Sequence, residues 1–196
     1  MAKVKKINEI FYSLQGEGRN AGRAAVFVRF SGCNLNCPFC DTQHQNGKYM
    51  SDEEILEEIS EYPTDLIVLT GGEPTLYIDD DFLDKLHEEG YTIAIETNGT
   101  RKVSNKVDFI TLSPKFEFTK NADLQQTECD ELKVIWNGRN DLSLYDNIKA
   151  QYKYLQPCDE QDEEENRDNR ASAIAWIYSN PDWILSLQLQ KILKIS

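Results

Sequence analysis

Cys33, Cys37 and Cys40 fall within one stretch of eight residues, spaced C-x3-C-x2-C, and no fourth cysteine lies near. A closed [4Fe–4S] site takes four thiolates, one per iron. Three thiolates leave one iron without a protein ligand, free to hold a molecule that then reacts. Other chemistries compete for the same residues. A structural zinc site wants four ligands, and His44 would complete a Cys3His set. A disulfide needs an oxidising compartment. The start Met1-Ala2-Lys3-Val4-Lys5-Lys6 lacks the apolar segment of an export signal, so a reducing, cytoplasmic setting is expected. Cys129 and Cys158 stand isolated and read as small core or surface residues.

The elements that must position this loop are legible as alternating patterns. Ala24–Phe30, Leu66–Thr70, Tyr91–Glu96, Val107–Leu112, Leu132–Trp136 and Tyr152–Leu155 are apolar, β-branched runs that predict strands. Ser51 and Glu54 form a capping box that opens a helix with Ile55 and Ile59 on one face. Asp79–Glu89 predicts a second helix, ended by Gly90, and Asp141–Ala150 a third. Strands alternating with helices imply a parallel sheet with right-handed crossovers.

Each polar or Gly/Pro-rich motif follows one of those strands. The cysteine loop follows the first, Gly71-Gly72-Glu73-Pro74 the second and Thr97-Asn98-Gly99-Thr100 the third. Ser113-Pro114-Lys115, Asn137-Gly138 and Gln156-Pro157-Cys158-Asp159 follow the others. In barrel-like α/β folds, the C-terminal ends of the strands are where active sites are built. A full eight-stranded barrel takes about 250 residues, more than the 196 present. The expected fold is an α/β, incomplete parallel barrel of about six strands and three main helices. It would span residues 1–196 as one domain, with an acidic loop over about 159–170 and a substrate-side segment over about 171–196.

Composition narrows the function classes. The net charge of −13 argues against a nucleic-acid surface, which needs clustered Lys and Arg. Asp159 to Arg170 holds seven acids and two arginines, a composition expected of a solvated loop. No apolar stretch approaches the ~20 residues that span a bilayer. Small-molecule chemistry is the remaining default.

The cysteine loop, with GGEP after the next strand, resembles the radical S-adenosylmethionine (SAM) enzymes. There the open iron chelates SAM, and an electron from the cluster releases a 5′-deoxyadenosyl radical. The stretch Phe11-Tyr12-Ser13-Leu14-Gln15-Gly16-Glu17-Gly18, then Gly22 to Phe30, then Cys40-Asp41-Thr42, is more telling. Together these resemble the 7-carboxy-7-deazaguanine synthases of queuosine and 7-deazapurine biosynthesis. Those enzymes contract 6-carboxy-5,6,7,8-tetrahydropterin to 7-carboxy-7-deazaguanine with loss of ammonia. A radical-SAM activase acting on a protein partner shares the cysteine loop but not the LQGEG stretch; a non-catalytic Cys3His zinc module is the remaining alternative.

The resemblance implies roles residue by residue. Cys33, Cys37 and Cys40 would hold the [4Fe–4S] cluster. Phe39, Cys40 and Asp41 would line SAM, and Gly72 would let the main chain approach its methionyl part. Ser113, Pro114 and Lys115 resemble the family's SPK segment, and Gln156, Pro157, Cys158 and Asp159 its QPxD segment, both on SAM. Leu14, Gln15, Gly16, Glu17 and Thr70 would contact the pterin, with Glu17 accepting from the ring's N–H donors. Arg29 would bind the substrate carboxylate, because its planar fork matches two oxygens; strand alternation places it opposite Val26, Val28 and Phe30. Thr42 would help hold Mg²⁺. Relatives usually end in a QTHK-type segment and a tail closing on proline. Here Gln190 stands at the histidine and Ser196 at the proline, and both would face substrate. The resemblance also implies an electron donor such as flavodoxin or ferredoxin, and an open barrel edge invites a homodimer.

Overall fold

Alternation along one strand organises the molecule. Val26, Val28 and Phe30 enter one apolar cluster, while Ala25 and Phe27 enter another, as successive side chains on a strand must. The computed structural model describes residues 4–42 and 46–195. Within them, nine strands form one sheet. They are β1 (Val4–Leu14), β2 (Ala24–Phe30), β3 (Lys48–Ser51), β4 (Leu66–Gly71), β5 (Thr92–Thr97), β6 (Phe109–Leu112), β7 (Glu128–Trp136), β8 (Lys149–Pro157) and β9 (Trp183–Leu185). Their order is β3-β1-β2-β4-β5-β6-β7-β8-β9. Every pairing from β2 to β9 is parallel; β1 alone runs antiparallel to both its neighbours, β2 and β3.

The expected partial barrel is therefore present, with all six expected strands in it. Three further strands extend it. β1 escapes an apolar-run reading because Lys5 occupies a core position, where it is 2% exposed. Its ammonium pairs with Asp52 and lies over the Phe82 ring at 4.4 Å. β3 and β9 are only four and three residues long, too short for a periodic signal. β7 starts at Glu128 rather than Leu132, since polar residues paired to β8 carry the ladder outward.

α1 (Asp52–Ser60) begins at the expected capping box: the Glu54 N–H donates to Ser51 Oγ, and the Ser51 N–H donates to Glu54 at 2.7 Å. α2 (Asp80–Glu88) ends at Gly90, whose φ of +86° favours glycine. Gly90 N–H donates to His87 O and Tyr91 N–H to Leu86 O, a Schellman closure. Ile55, Ile59, Phe82, Leu83 and Leu86 from these helices are fully buried against β2, β4 and β5. Each such side chain contributes about 1.5–3 kcal/mol, which fixes the strand ends carrying the loops.

Two expectations fail. Asp141–Ala150 is not a helix: a short 3-10 turn covers Leu142–Tyr145 and β8 begins at Lys149. Tyr145 is drawn into the core, where its hydroxyl donates to Glu117 at 2.6 Å and its ring packs on Phe116 at 4.8 Å. The acidic run is not a loop over 159–170: it opens α3 (Glu163–Ser179), capped by Asp162, which accepts from Glu164 N–H and Glu165 N–H. Three glutamates in the first turn face the positive end of the helix dipole, so the acids that suggested a solvated loop open a helix instead. A last short helix, α4 (Leu189–Leu193), follows β9. No helix of the described residues is long and apolar enough to cross a membrane.

Candidate active site

The loop after β2 is fastened to the loop after β4. Gly72 N–H donates to Phe30 O and Glu73 N–H to Gly32 O, both at 3.0 Å. A Cβ on Gly72 would lie 1.9 Å from Gly32 O. Glycine is required there because two backbones touch, a different reason from the expected approach to SAM, although Gly72 also lines the cavity below. Glu73 is fully buried and accepts from Thr75 N–H, Thr75 Oγ1, Thr97 Oγ1 and Asn98 N–H. It clamps the β4 and β5 loops together.

This rim encloses a cavity of about 610 Å³. Cys33, Cys37, Cys40 and Thr42 line it, as do Phe39, Asp41, Ser113, Lys115, Gln156, Pro157, Cys158 and Asp159 from the SAM set. Leu14, Gln15, Gly16, Glu17, Arg29, Thr70 and Gln190 from the pterin set line it too. Pro114 lies beside the wall without forming part of it. Ser196 and His44 lie outside the described residues.

The three cysteines are free, Cys33 and Cys37 half-buried and Cys40 exposed. Burial pushes the Cys33 and Cys37 thiols up, so thiolates there call for adjacent positive charge, as a metal supplies. Among the described residues no three His, Cys, Asp or Glu side chains converge on one ion's position. Three thiolates lining one cavity match three irons of a four-iron cluster and leave the fourth open. The donor set and its spacing thus fit a cluster with one open iron.

On the SAM side, Lys115 Nζ donates to Ser113 O at 2.5 Å and Ser113 Oγ at 2.6 Å, and burial pulls its ammonium down to about 8. Phe39 meets Phe118 edge-on at 4.9 Å. Cys158 is buried and its N–H donates to Trp136 O; burial pushes its thiol to about 12, so it is an inert wall residue. Asp159 is held at about 2 by hydrogen bonds from Lys191 and Asn166. Lys191 bridges Asp41 at 2.9 Å and Asp159 at 2.7 Å, tying α4 to the cysteine loop and to the segment after β8.

On the opposite side Glu17 is already engaged. Lys133 pairs with its Oε2, and Gln188 and Gln190 donate to its Oε1 at 3.0 and 2.9 Å. Burial works to raise the Glu17 pKa, but the Lys133 charge and these donors overcome it and hold the carboxyl at about 2. The expected role as acceptor for the pterin edge therefore competes with protein donors. Lys133, also 3.6 Å from Glu96, is kept above the usual lysine range by its carboxylates despite burial. Glu96 accepts from Thr70 Oγ1 at 2.8 Å and Gln15 Nε2 at 3.1 Å. Neither Lys133 nor Glu96 was expected. Alternation flags Lys133, between outward Leu132 and Val134, as it flags Arg29. Arg29 does face the cavity, its Nε donating to Glu9 at 2.7 Å and its guanidinium lying 5.5 Å from the Phe11 ring.

Comparison with known proteins agrees with this geometry. Residues 27–113 match the radical SAM superfamily. The 7-carboxy-7-deazaguanine synthase of Bacteroides thetaiotaomicron is 48% identical over 98% of this chain and 99% of its own. That of Burkholderia multivorans is 39% identical, covering 96% and 98%. The crystal structure of QueE from Escherichia coli superposes with a TM-score of 0.76 at 26% identity, covering 94% of each chain. By cavity, cysteine loop and near-full-length likeness, the chain belongs to the 7-carboxy-7-deazaguanine synthase family of radical SAM enzymes, which use a [4Fe–4S] cluster and SAM.

Proposed function

We propose that this chain converts 6-carboxy-5,6,7,8-tetrahydropterin to 7-carboxy-7-deazaguanine with loss of ammonia, as a step of queuosine and 7-deazapurine biosynthesis. The observation that carries the reading is one cavity walled by the three cysteines on one side and by Leu14 to Glu17, Arg29 and Thr70 on the other. A cluster held by Cys33, Cys37 and Cys40 would supply the one-electron reduction, and SAM held beside it on the same cavity wall would supply the radical chemistry.

Everything else falls to the protein's own residues. Cys33, Cys37 and Cys40 hold the cluster. Phe39 to Asp41, Gly72, Ser113 and Lys115, and Gln156 to Asp159 position SAM. Arg29 fixes the substrate carboxylate through its fork, and Gln15, Gly16 and Thr70 orient the ring edge. Glu17, Lys133 and Gln190 form the floor on which that edge rests; orientation of this kind is the protein's main contribution when the cofactor carries the chemistry. Thr42, on the same wall as the cysteines, is suited to share a Mg²⁺ with substrate oxygens, since Mg²⁺ takes few protein ligands and keeps waters. An electron donor such as flavodoxin or ferredoxin completes the system. The reading places the enzyme in the cytoplasm as a single-domain homodimer; unpaired edges at β3 and β9 and the exposed Tyr178 support the last point.

The test is anaerobic reconstitution with iron and sulfide, then SAM, reductant, Mg²⁺ and 6-carboxytetrahydropterin, with product identified by mass spectrometry. Deazaguanine that forms only with intact Cys33, Cys37 and Cys40 is the expected result. A cluster that cleaves SAM but yields no deazaguanine would overturn the substrate.

A further inference from the structure

Cys33 differs from the other two cysteines in what surrounds its sulfur. Leu35 N–H donates to Cys33 Sγ at 3.4 Å, and the Asn98 side-chain amide reaches the same sulfur at 3.9 Å. Asn98 comes from a separate loop, after β5, and is 8% exposed. Its backbone N–H donates to Glu73 at 2.8 Å. Its Oδ1 accepts from Thr100 N–H at 2.9 Å and Thr100 Oγ1 at 2.7 Å. These bonds fix which end of the amide faces the sulfur. An amide nitrogen carries two hydrogens. One serves Asn34 Oδ1 at 3.2 Å, and the second has Cys33 Sγ in reach. Asn34 Nδ2 in turn donates to Thr100 Oγ1 at 2.8 Å, which closes a ring of three side chains around the contact.

The buried Glu73 carboxylate, which accepts from Asn98 N–H, acts on the Cys33 sulfur in the sense that disfavours added negative charge there. A donor aimed at a ligating sulfur acts in the other direction, because it favours the more electron-rich, reduced form. We propose that Asn98 is a positioning residue for reactivity, raising the reduction potential of the iron–sulfur cluster by donating its side-chain N–H to the Cys33 thiolate. It acts through Cys33 and makes no demand on the pterin, and the inference rests on the cluster assignment above.

The test is the midpoint potential of the reconstituted cluster, followed by EPR during reductive titration without SAM or substrate. Asn98→Leu is expected to lower the midpoint, with up to a tenfold fall in the reduced-to-oxidised ratio at fixed potential, equivalent to 59 mV for one electron. Asn34→Ala, which leaves the sulfur contact, should keep the wild-type midpoint. Asn98→Asp retains the acceptor for Thr100 but replaces the donor with a carboxylate, and should lower the midpoint at least as far. An unchanged midpoint in a fully loaded Asn98 variant overturns the proposal, including the case in which only SAM affinity falls. Loss of the cluster from both Asn98 variants overturns it too, in favour of an architectural role. Absence of a [4Fe–4S] signal in the wild-type protein would instead fail the cluster assignment itself.

Discussion

Two carboxylates and one ammonium decide the character of the substrate side. Lys133 is buried between Glu17 and Glu96, and removing one partner of a buried pair leaves an uncompensated charge, typically worth 3–5 kcal/mol. Glu17→Gln is expected to lose about 3 kcal/mol, the low end, because Glu96 remains; thermal unfolding measures it. The pH dependence has a definite sign. The Glu17 pKa is lowered on folding from 4.5 to about 2, so its contribution is complete above about pH 4.5 and is lost as pH falls towards 2. The gap in melting temperature between wild type and Glu17→Gln should therefore be wide at pH 7 and nearly closed at pH 2. Arg29→Lys keeps the charge but loses the fork. One charged hydrogen bond is worth roughly 1.5–3 kcal/mol, and a rise in pterin KM of about ten-fold or more is expected with SAM binding unchanged. Arg29 was singled out by the family resemblance, and strand alternation gave the face it points from. Lys133 obeys the same rule, yet a lysine in a strand reads as solvated unless the long-range partners that neutralise it are known, and those are set by folding, not by spacing.

Helices, strands and loops were legible where their signals are local. The Ser51 capping box and the Gly90 stop depend on neighbours within four residues, and both are as expected. Gly90→Ala should cost about 1–2 kcal/mol for its left-handed backbone, although its surroundings are open. Gly72→Ala differs in kind: the obstacle is the Gly32 carbonyl, a backbone atom that cannot rotate away. A loss of about 1–3 kcal/mol is expected, together with lower iron content on reconstitution, since the cysteine loop must move. Two of the differing elements depend on distant partners: β1 hides a core lysine whose partner lies 47 residues away, and the Leu142–Tyr145 turn is set by Glu117. α3 is the exception, because its signal is local: the same acids that give a solvated composition also sit in the first turn behind the Asp162 cap.

At the scale of the whole molecule, the cavity is closed by the two ends of the chain. Gln188 and Gln190 hold Glu17, while Lys191 spans Asp41 and Asp159. These last pairs are partly solvated, so each contributes at most about 1 kcal/mol. Lys191→Met should leave the melting temperature nearly unchanged but speed amide hydrogen exchange over residues 188–193, by up to about tenfold. The family's usual histidine and proline made the tail's departure visible in the sequence, but not its seat; Gln190 packs against Gly16, whose missing Cβ makes room for it. This closure has a consequence in time. Chains fold from the N-terminus as they are made, and the cysteine loop leaves the ribosome long before residues 188–191 do. The nascent protein must therefore pass through a stage with its thiols in place and no finished wall to shield them. The part of the wall made by Gln188, Gln190 and Lys191 is the last to be synthesised, so the thiols are least sheltered from oxygen before that segment has docked.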